Sequence, residues 1–216
     1  MADALYEYFN NIMGINFERS RSLNLAEIGV PTEDLSDLEA MFTEDEVRSV
    51  IQELPNDKAP GSDGLIGLFY KISWEIIKVD ILNSFNAFWA RDRRSFNHLN
   101  EAFMILLKKK AQPMEIRDYR PISLIHSFGK LITKCLSRRL APYLDRLVMK
   151  NQSVFIKGRC IHDSFRQVQL TCRALHASRI PALLLKIDIT KAFDTVSWAF
   201  LLEVMQHMGF GQRWRD

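Results

Sequence analysis

The 216-residue sequence has no run of about 18 apolar residues, so it offers no candidate membrane-spanning helix. Its first residues, MADALYEYFNNIMG, are acidic and lack a basic segment followed by an apolar one, which excludes a secretory signal. Cysteine is scarce. Cys135, Cys160 and Cys172 are odd in number and scattered, and fit neither a disulfide framework nor metal-ligand spacing. A reducing intracellular compartment, nucleus or cytoplasm, is the expectation. Repeats and low-complexity tracts are absent. What is present is ordinary: 47% hydrophobic and 25% charged residues, enough to bury a core.

Net charge is only +3, but it is unevenly placed. Residues 1–60 carry 4 Lys/Arg against 13 Asp/Glu, and residues 61–107 carry 5 of each. Residues 108–159 carry 13 against 3 (Glu115, Asp118 and Asp145), a net +10. Such a block is the footprint of a polyanion partner, or a solvated basic face; charge alone leaves both open.

Hydrophobic spacing places the elements. Residues 14–40 read as an acidic surface loop or linker. Thr43 with Glu46 three residues on is a capping box, and Val47, Val50, Ile51 and Leu54 then recur at helical spacing until Pro55 stops the helix. NDKAPGSDG (56–64) is turn chemistry, and its glycines would also let backbone N–H groups approach a phosphate. Residues 65–90 are apolar at roughly helical spacing, with Phe69, Ile76, Phe85 and Trp89 as candidate core. AFMILL (102–107) reads as a buried strand emerging into Lys108, Lys109 and Lys110. Pro121 pushes Arg120 toward extended backbone, where its guanidinium either pairs with Asp118 or is free for a phosphate.

Phe128–Leu140 is a strong helix prediction. Its apolar stripe is Phe128, Leu131, Ile132, Cys135, Leu136 and Leu140, and Lys130, Lys134 and Arg138 recur on roughly the other face. That ridge suits either a nucleic-acid backbone or solvent. Arg139 falls on the apolar side, where its stem packs while its head reaches a partner. Lys157, Gly158 and Arg159 sit in a loop, followed by a helix from Ser164 to about Ser178.

ALLLKIDI (182–189) reads as a strand buried on both faces, with Asp188 near its end. A carboxylate there is costly unless it is ion-paired or binds a metal. Asp194 is expected to cap the next helix, whose buried face is Leu201, Val204, Met205 and Met208 and whose end is Gly209.

KIDITKAFDTVSW resembles the first catalytic motif of reverse transcriptases of LINE-type, non-LTR retrotransposons, especially those of plants. FTEDEVRSVIQELPNDKAPGSDG is similar to the opening of that family's fingers region. ILLKKK with DYRPISLIHSFGKLITKCLSRRL resembles its first numbered motif, and NQSVFIKGRCIHDSF its template-contacting motif. The four blocks stand in the family's order across roughly residues 42–210.

The resemblance implies a helix-rich α+β architecture, the fingers and partial palm of a right-hand polymerase fold. Residues 1–41 would be an N-terminal linker or extension, 42–180 a fingers-like region, and 181–216 the start of the palm. It implies template-directed deoxynucleotide transfer with an RNA template, a DNA primer and two Mg²⁺ ions about 3.5–4 Å apart. It further implies that Asp188 and the Ile189 carbonyl are metal ligands, and that Phe193 is a steric gate against the 2′-hydroxyl. Arg120 and one of Lys108, Lys109 and Lys110 would hold the triphosphate. Lys157, Gly158 and Arg159, with Lys130, Lys134 and Arg138, would meet the template. No membrane partner is implied.

The sequence also departs from the family. Lys108 stands where proline is usual, and Ser62 replaces proline in the KAPGSDG turn. No Asp-Asp dipeptide occurs, so the family's second catalytic motif, the rest of the palm and the thumb are expected to be lacking. A lone carboxylate should bind Mg²⁺ weakly, and the chain alone is expected to have little or no polymerase activity. The alternatives are a truncated, non-catalytic transposon remnant that at most binds RNA, and a helical interaction module.

Overall fold

The computed structural model describes residues 2–11, 19, 21–90, 96–179, 181–189 and 195–216. The chain divides into two compact units. One comprises Ser36–Arg139 with Gly211–Trp214 and Asp216; the other comprises residues up to Leu35, Leu140–Phe210 and Arg215. Among the described residues, no helix is long and apolar enough to cross a membrane.

The first unit is built on helices whose apolar stripes meet. Helix α1 (Ala2–Asn10) lies outside it. Helix α2 (Glu44–Gln52) begins at the predicted cap, Thr43, whose hydroxyl accepts from Glu46 N at 3.2 Å. The return half of the expected capping box is not made, because the Glu46 carboxylate is taken by Arg139. Val47, Val50 and Ile51 are buried, as their spacing predicts.

Helix α3 (Gly67–Trp89) packs on α2 through Tyr70, Trp74, Ile81, Phe85 and Trp89. The expected core residue Ile76 is 83% exposed. Helix α3 is apolar nearly all round, so its composition does not reveal which stripe faces inward. A short helix α4 (Phe96–Leu99) leads into the strands. Phe42 makes edge-on contacts with Phe85 at 5.0 Å and Trp89 at 5.1 Å, and Phe85 meets Phe128 at 5.5 Å.

Strands β1 (Ala102–Lys108) and β2 (Tyr119–Ile125) form one antiparallel pair, in register from Ala102↔Ile125 to Lys108↔Tyr119. The 102–107 run was expected to be buried, but Phe103, Met104, Ile105 and Leu107 are exposed. Among the described residues the sheet has only these two strands, so both are edges. Helix α5 (Ser127–Leu140) buries Leu131, Ile132 and Cys135 on the predicted stripe, with Phe128 and Leu136 beside them.

The second unit holds α1, the short helix α6 (Leu144–Leu147), α7 (Ile161–Ala177) and α8 (Trp198–His207). A final turn of helix, α9, spans Gln212–Arg215. Residues 21–35 are not a plain surface linker, since Leu25 and Leu35 are buried. Glu33 N donates to Met208 O at 3.0 Å and Thr32 Oγ1 to His207 O at 2.9 Å, fastening this segment to the end of α8. Gly209 follows with φ 96°, and a Cβ there would collide with the Glu33 carbonyl, so the predicted helix end is also a close approach.

The strand expected over 182–189 is not formed. Residues 181–189 have no regular structure, and Leu183, Leu184, Leu185, Ile187 and Ile189 are all at least 70% exposed. A strand exists only through a neighbour's hydrogen bonds, and no described residues pair with this segment.

Candidate functional site

The hairpin sorts the candidate phosphate-binding cations. Arg120 lies opposite Leu107, and Lys108 opposite Tyr119. Residues one apart on a strand point to opposite faces, so Arg120 and Lys108 are presented on different sides of the pair. Arg120 is exposed, and its side chain makes no hydrogen bond or ion pair among the described residues. The alternative of an Arg120–Asp118 pair is not what forms.

Asp118 is instead the anchor of the turn between the strands. Lys110 donates to it at 2.9 Å, and Met114 N and Glu115 N at 2.9 and 3.1 Å. These donors, Lys110 first, pull its carboxyl down to about 2. Lys109 Nζ donates to Arg117 O at 2.7 Å. Of the three lysines, therefore, only Lys108 has a head free of such a tether among the described residues.

The expected basic ridge on α5 is also partly occupied. Lys130 Nζ donates to Ala59 O at 2.9 Å, and Arg138 binds Glu53 at 2.8 Å and Ser49 Oγ at 2.9 Å. These contacts tie α5 to α2 and to the 56–64 loop. Lys134 alone of the three has no partner among the described residues.

That loop has a structural part that the sequence did not reveal. Asp63 Oδ2 accepts from Ser127 N at 2.6 Å and Asp63 Oδ1 from Leu65 N at 3.3 Å, so the aspartate caps the start of α5. Ser62 Oγ meets His126 Nε2 at 2.8 Å. A Cβ on Gly61 would collide with the Ile125 carbonyl, so glycine is needed for contact with the protein's own backbone. The Asp63-Gly64 turn is visible in the sequence; its partner at Ser127 is not.

In the second unit the template-contact candidates separate in the same way. Lys157 is exposed with no partner among the described residues, and Gly158 sits in a turn at φ 85°. Arg159 is consumed internally. It binds Asp145 Oδ1 at 2.9 Å and the carbonyls of Met149, Gln152 and Val148 at 2.7–2.8 Å. Lys150 and Arg159 together hold the Asp145 carboxyl below its usual range.

Asp188 is exposed on this irregular segment and has no ion pair among the described residues. The salt-bridge alternative is therefore not observed. Its carboxylate and the Ile189 carbonyl are hard oxygens of the kind a divalent cation takes. Two oxygens do not make an octahedral site. Among the described residues, no group of three or more His, Cys, Asp or Glu could hold a metal ion. The donors fit in kind but not in number, and the described residues do not form a site for a pair of ions. Phe193 and Asp194 lie outside the described residues. Helix α8 is capped by Ser197, whose hydroxyl accepts from Phe200 N at 3.4 Å, the place expected for Asp194.

Residues 107–216, just over half of the chain, match the family described as "Reverse transcriptase (RNA-dependent DNA polymerase)". The chain is 30% identical over 177 residues, 81% of its length, to a transposon TX1 uncharacterized 149 kDa protein of Xenopus laevis. It is 25% identical over 194 residues, 86% of its length, to a putative 115 kDa protein in the type-1 retrotransposable element R1DM of Drosophila melanogaster. It is 25% identical over 157 residues, 71% of its length, to the RNA-directed DNA polymerase from mobile element jockey of Drosophila funebris. These matches cover 13%, 18% and 17% of the relatives' lengths, so the chain spans under a fifth of each. With its helix-rich body, its small two-stranded sheet and its sequence kinship to retrotransposon proteins, the chain belongs to the reverse transcriptase (RNA-dependent DNA polymerase) family.

Proposed function

We propose that this chain is the fingers and first palm segment of an RNA-directed DNA polymerase of a non-LTR retrotransposon. The complete enzyme extends a DNA primer on an RNA template, inside the cell. The observation that carries this reading is the family match across 107–216, which takes in Arg120, Lys157 and Asp188. In that role Asp188 and the Ile189 carbonyl contribute to holding Mg²⁺, which neutralises charge at the transferring phosphate. The Arg120 guanidinium, untethered on an exposed strand, suits the planar recognition of a triphosphate. Lys157 has a head free among the described residues for the template backbone, whereas Arg138 and Arg159 are spent on holding the protein together.

The test is binding of an RNA–DNA primer-template to the 216-residue chain across a salt series. Affinity is expected to fall steeply with salt. Lys157→Ala should lower the log–log slope by about one, the loss of one phosphate contact, and Arg120→Ala, at the residue assigned to the nucleotide, should leave it unchanged. Binding that is undetectable or indifferent to salt contradicts the reading.

Phe193 is proposed as the residue that packs under the sugar. In a complete polymerase, Phe193→Ala is expected to raise ribonucleotide incorporation about tenfold or more. Unchanged sugar discrimination counts against that role.

A further inference from the structure

The two strands of the hairpin have unlike outer edges. Proline has no N–H, so Leu106↔Pro121 is not a pair that exchanges both backbone hydrogen bonds; the exchanging pairs are Phe103↔Leu124, Ile105↔Ile122 and Leu107↔Arg120. The bond from Lys109 N to Asp118 O at 2.7 Å continues that alternation. On β1 the backbone groups of Ala102, Met104, Leu106 and Lys108 therefore turn outward, and on β2 those of Tyr119, Pro121, Ser123 and Ile125.

The outer edge of β2 is closed in two ways. Pro121 leaves a gap in its row of donors. The 56–64 loop also lies against its end, so close that a Cβ on Gly61 would sit 2.2 Å from the Ile125 carbonyl oxygen. The outer edge of β1 has neither protection. It contains no proline, no described strand or loop bonds to it, and every residue of β1 except Leu106 is exposed. Such a row of open donors and acceptors is a template for another strand.

The strand that fits this edge is β1 itself. Glu101 stands before it, and Lys108, Lys109 and Lys110 stand at its end. A parallel copy would set the lysines side by side. An antiparallel copy centred on Ile105 sets Lys109 opposite Glu101 of the second copy, acid against base at both ends. Glu101 meets only an exposed His98 in its own chain among the described residues, at 3.4 Å. The same register pairs the outward groups of Ala102 with those of Lys108, and of Met104 with those of Leu106. It sets Phe103 opposite Leu107 and Ile105 opposite itself, side chains that are 60%, 53% and 44% exposed. We infer that two copies of this chain associate through β1, antiparallel and two-fold about Ile105. Because the edge of β2 is closed, addition stops at the dimer. The contact is one short edge, so the dimer is transient, with a dissociation constant on the order of tens of micromolar. The inference uses no part of the polymerase reading.

The experiment is sedimentation equilibrium of the 216-residue chain from micromolar to several hundred micromolar. A reversible monomer–dimer equilibrium is expected. Ile105→Lys sets two like charges on the axis and should weaken the dimer about a hundredfold or more, as should Ile105→Glu. An equimolar mixture of the two variants should associate again, because each axis then joins a lysine to a glutamate. That recovery belongs to this register alone, since only a residue on the axis meets its own copy. Glu101→Lys, outside the strand, should weaken the dimer about fivefold and provides a second reading should the axis variants not fold. A chain that stays monomeric throughout, growth beyond the dimer, dimers that folded variants leave unchanged, or a mixture of folded axis variants that does not associate each overturns the inference.

Discussion

Asp188→Asn is expected to lower deoxynucleotide incorporation at least about a thousandfold, or ~4 kcal/mol of barrier. The setting is a chimera in which this chain replaces the matching segment of the jockey polymerase. Asparagine has nearly the same shape and keeps one neutral oxygen, but it removes the charge that draws a divalent cation. Asp188 is exposed and has no ion pair among the described residues, so the exchange should cost the fold less than about 0.5 kcal/mol. A large loss of rate at unchanged stability would place the effect in the chemistry. Activity within about tenfold of the parent would show that the carboxylate is not a ligand the reaction needs.

Arg139→Ala is expected to destabilise the chain by about 3–5 kcal/mol. Arg139 Nε and an Nη each donate to one oxygen of Glu46 at 2.7 Å, a two-pronged pair of which the arginine side chain is 12% and the glutamate side chain 22% exposed. The same guanidinium reaches the carbonyls of Ala40 at 2.5 Å and Met41 at 2.9 Å, and lies 3.9 Å from the centre of the Phe42 ring. Removing it leaves a partly buried carboxylate and two carbonyls without their donor, beside the aromatic cluster of Phe42, Phe85 and Trp89. Arg139→Lys keeps the charge but not the fork, and should cost less, roughly 1–3 kcal/mol. Urea unfolding followed by tryptophan fluorescence measures both, since Trp89 sits in this cluster. A loss for Arg139→Ala below about 1 kcal/mol would rank the pair with ordinary surface ion pairs and contradict the assignment.

The sequence was most legible where one local rule decides the outcome. Helices α2 and α5 have a single clean apolar stripe, and α2 a cap, so their buried residues could be named in advance. Helix α3 offers several stripes, and it buries Trp74 and Ile81 while Ile76, on another of them, is exposed. The 182–189 run is apolar enough for a strand, but a strand also needs a neighbour, which no single segment encodes. The cations show the same limit. Lys109, Arg138 and Arg159 have the right chemistry for phosphates, yet their heads are used on carbonyls and carboxylates elsewhere in the chain.

The most direct measurement is incorporation of labelled dTTP on a poly(rA)–oligo(dT) primer-template by the jockey chimera carrying this chain. Template-dependent incorporation that disappears with Asp188→Asn is the result expected of a polymerase segment. A folded chimera that binds the primer-template and incorporates nothing, or that incorporates equally well without the Asp188 carboxylate, would contradict it.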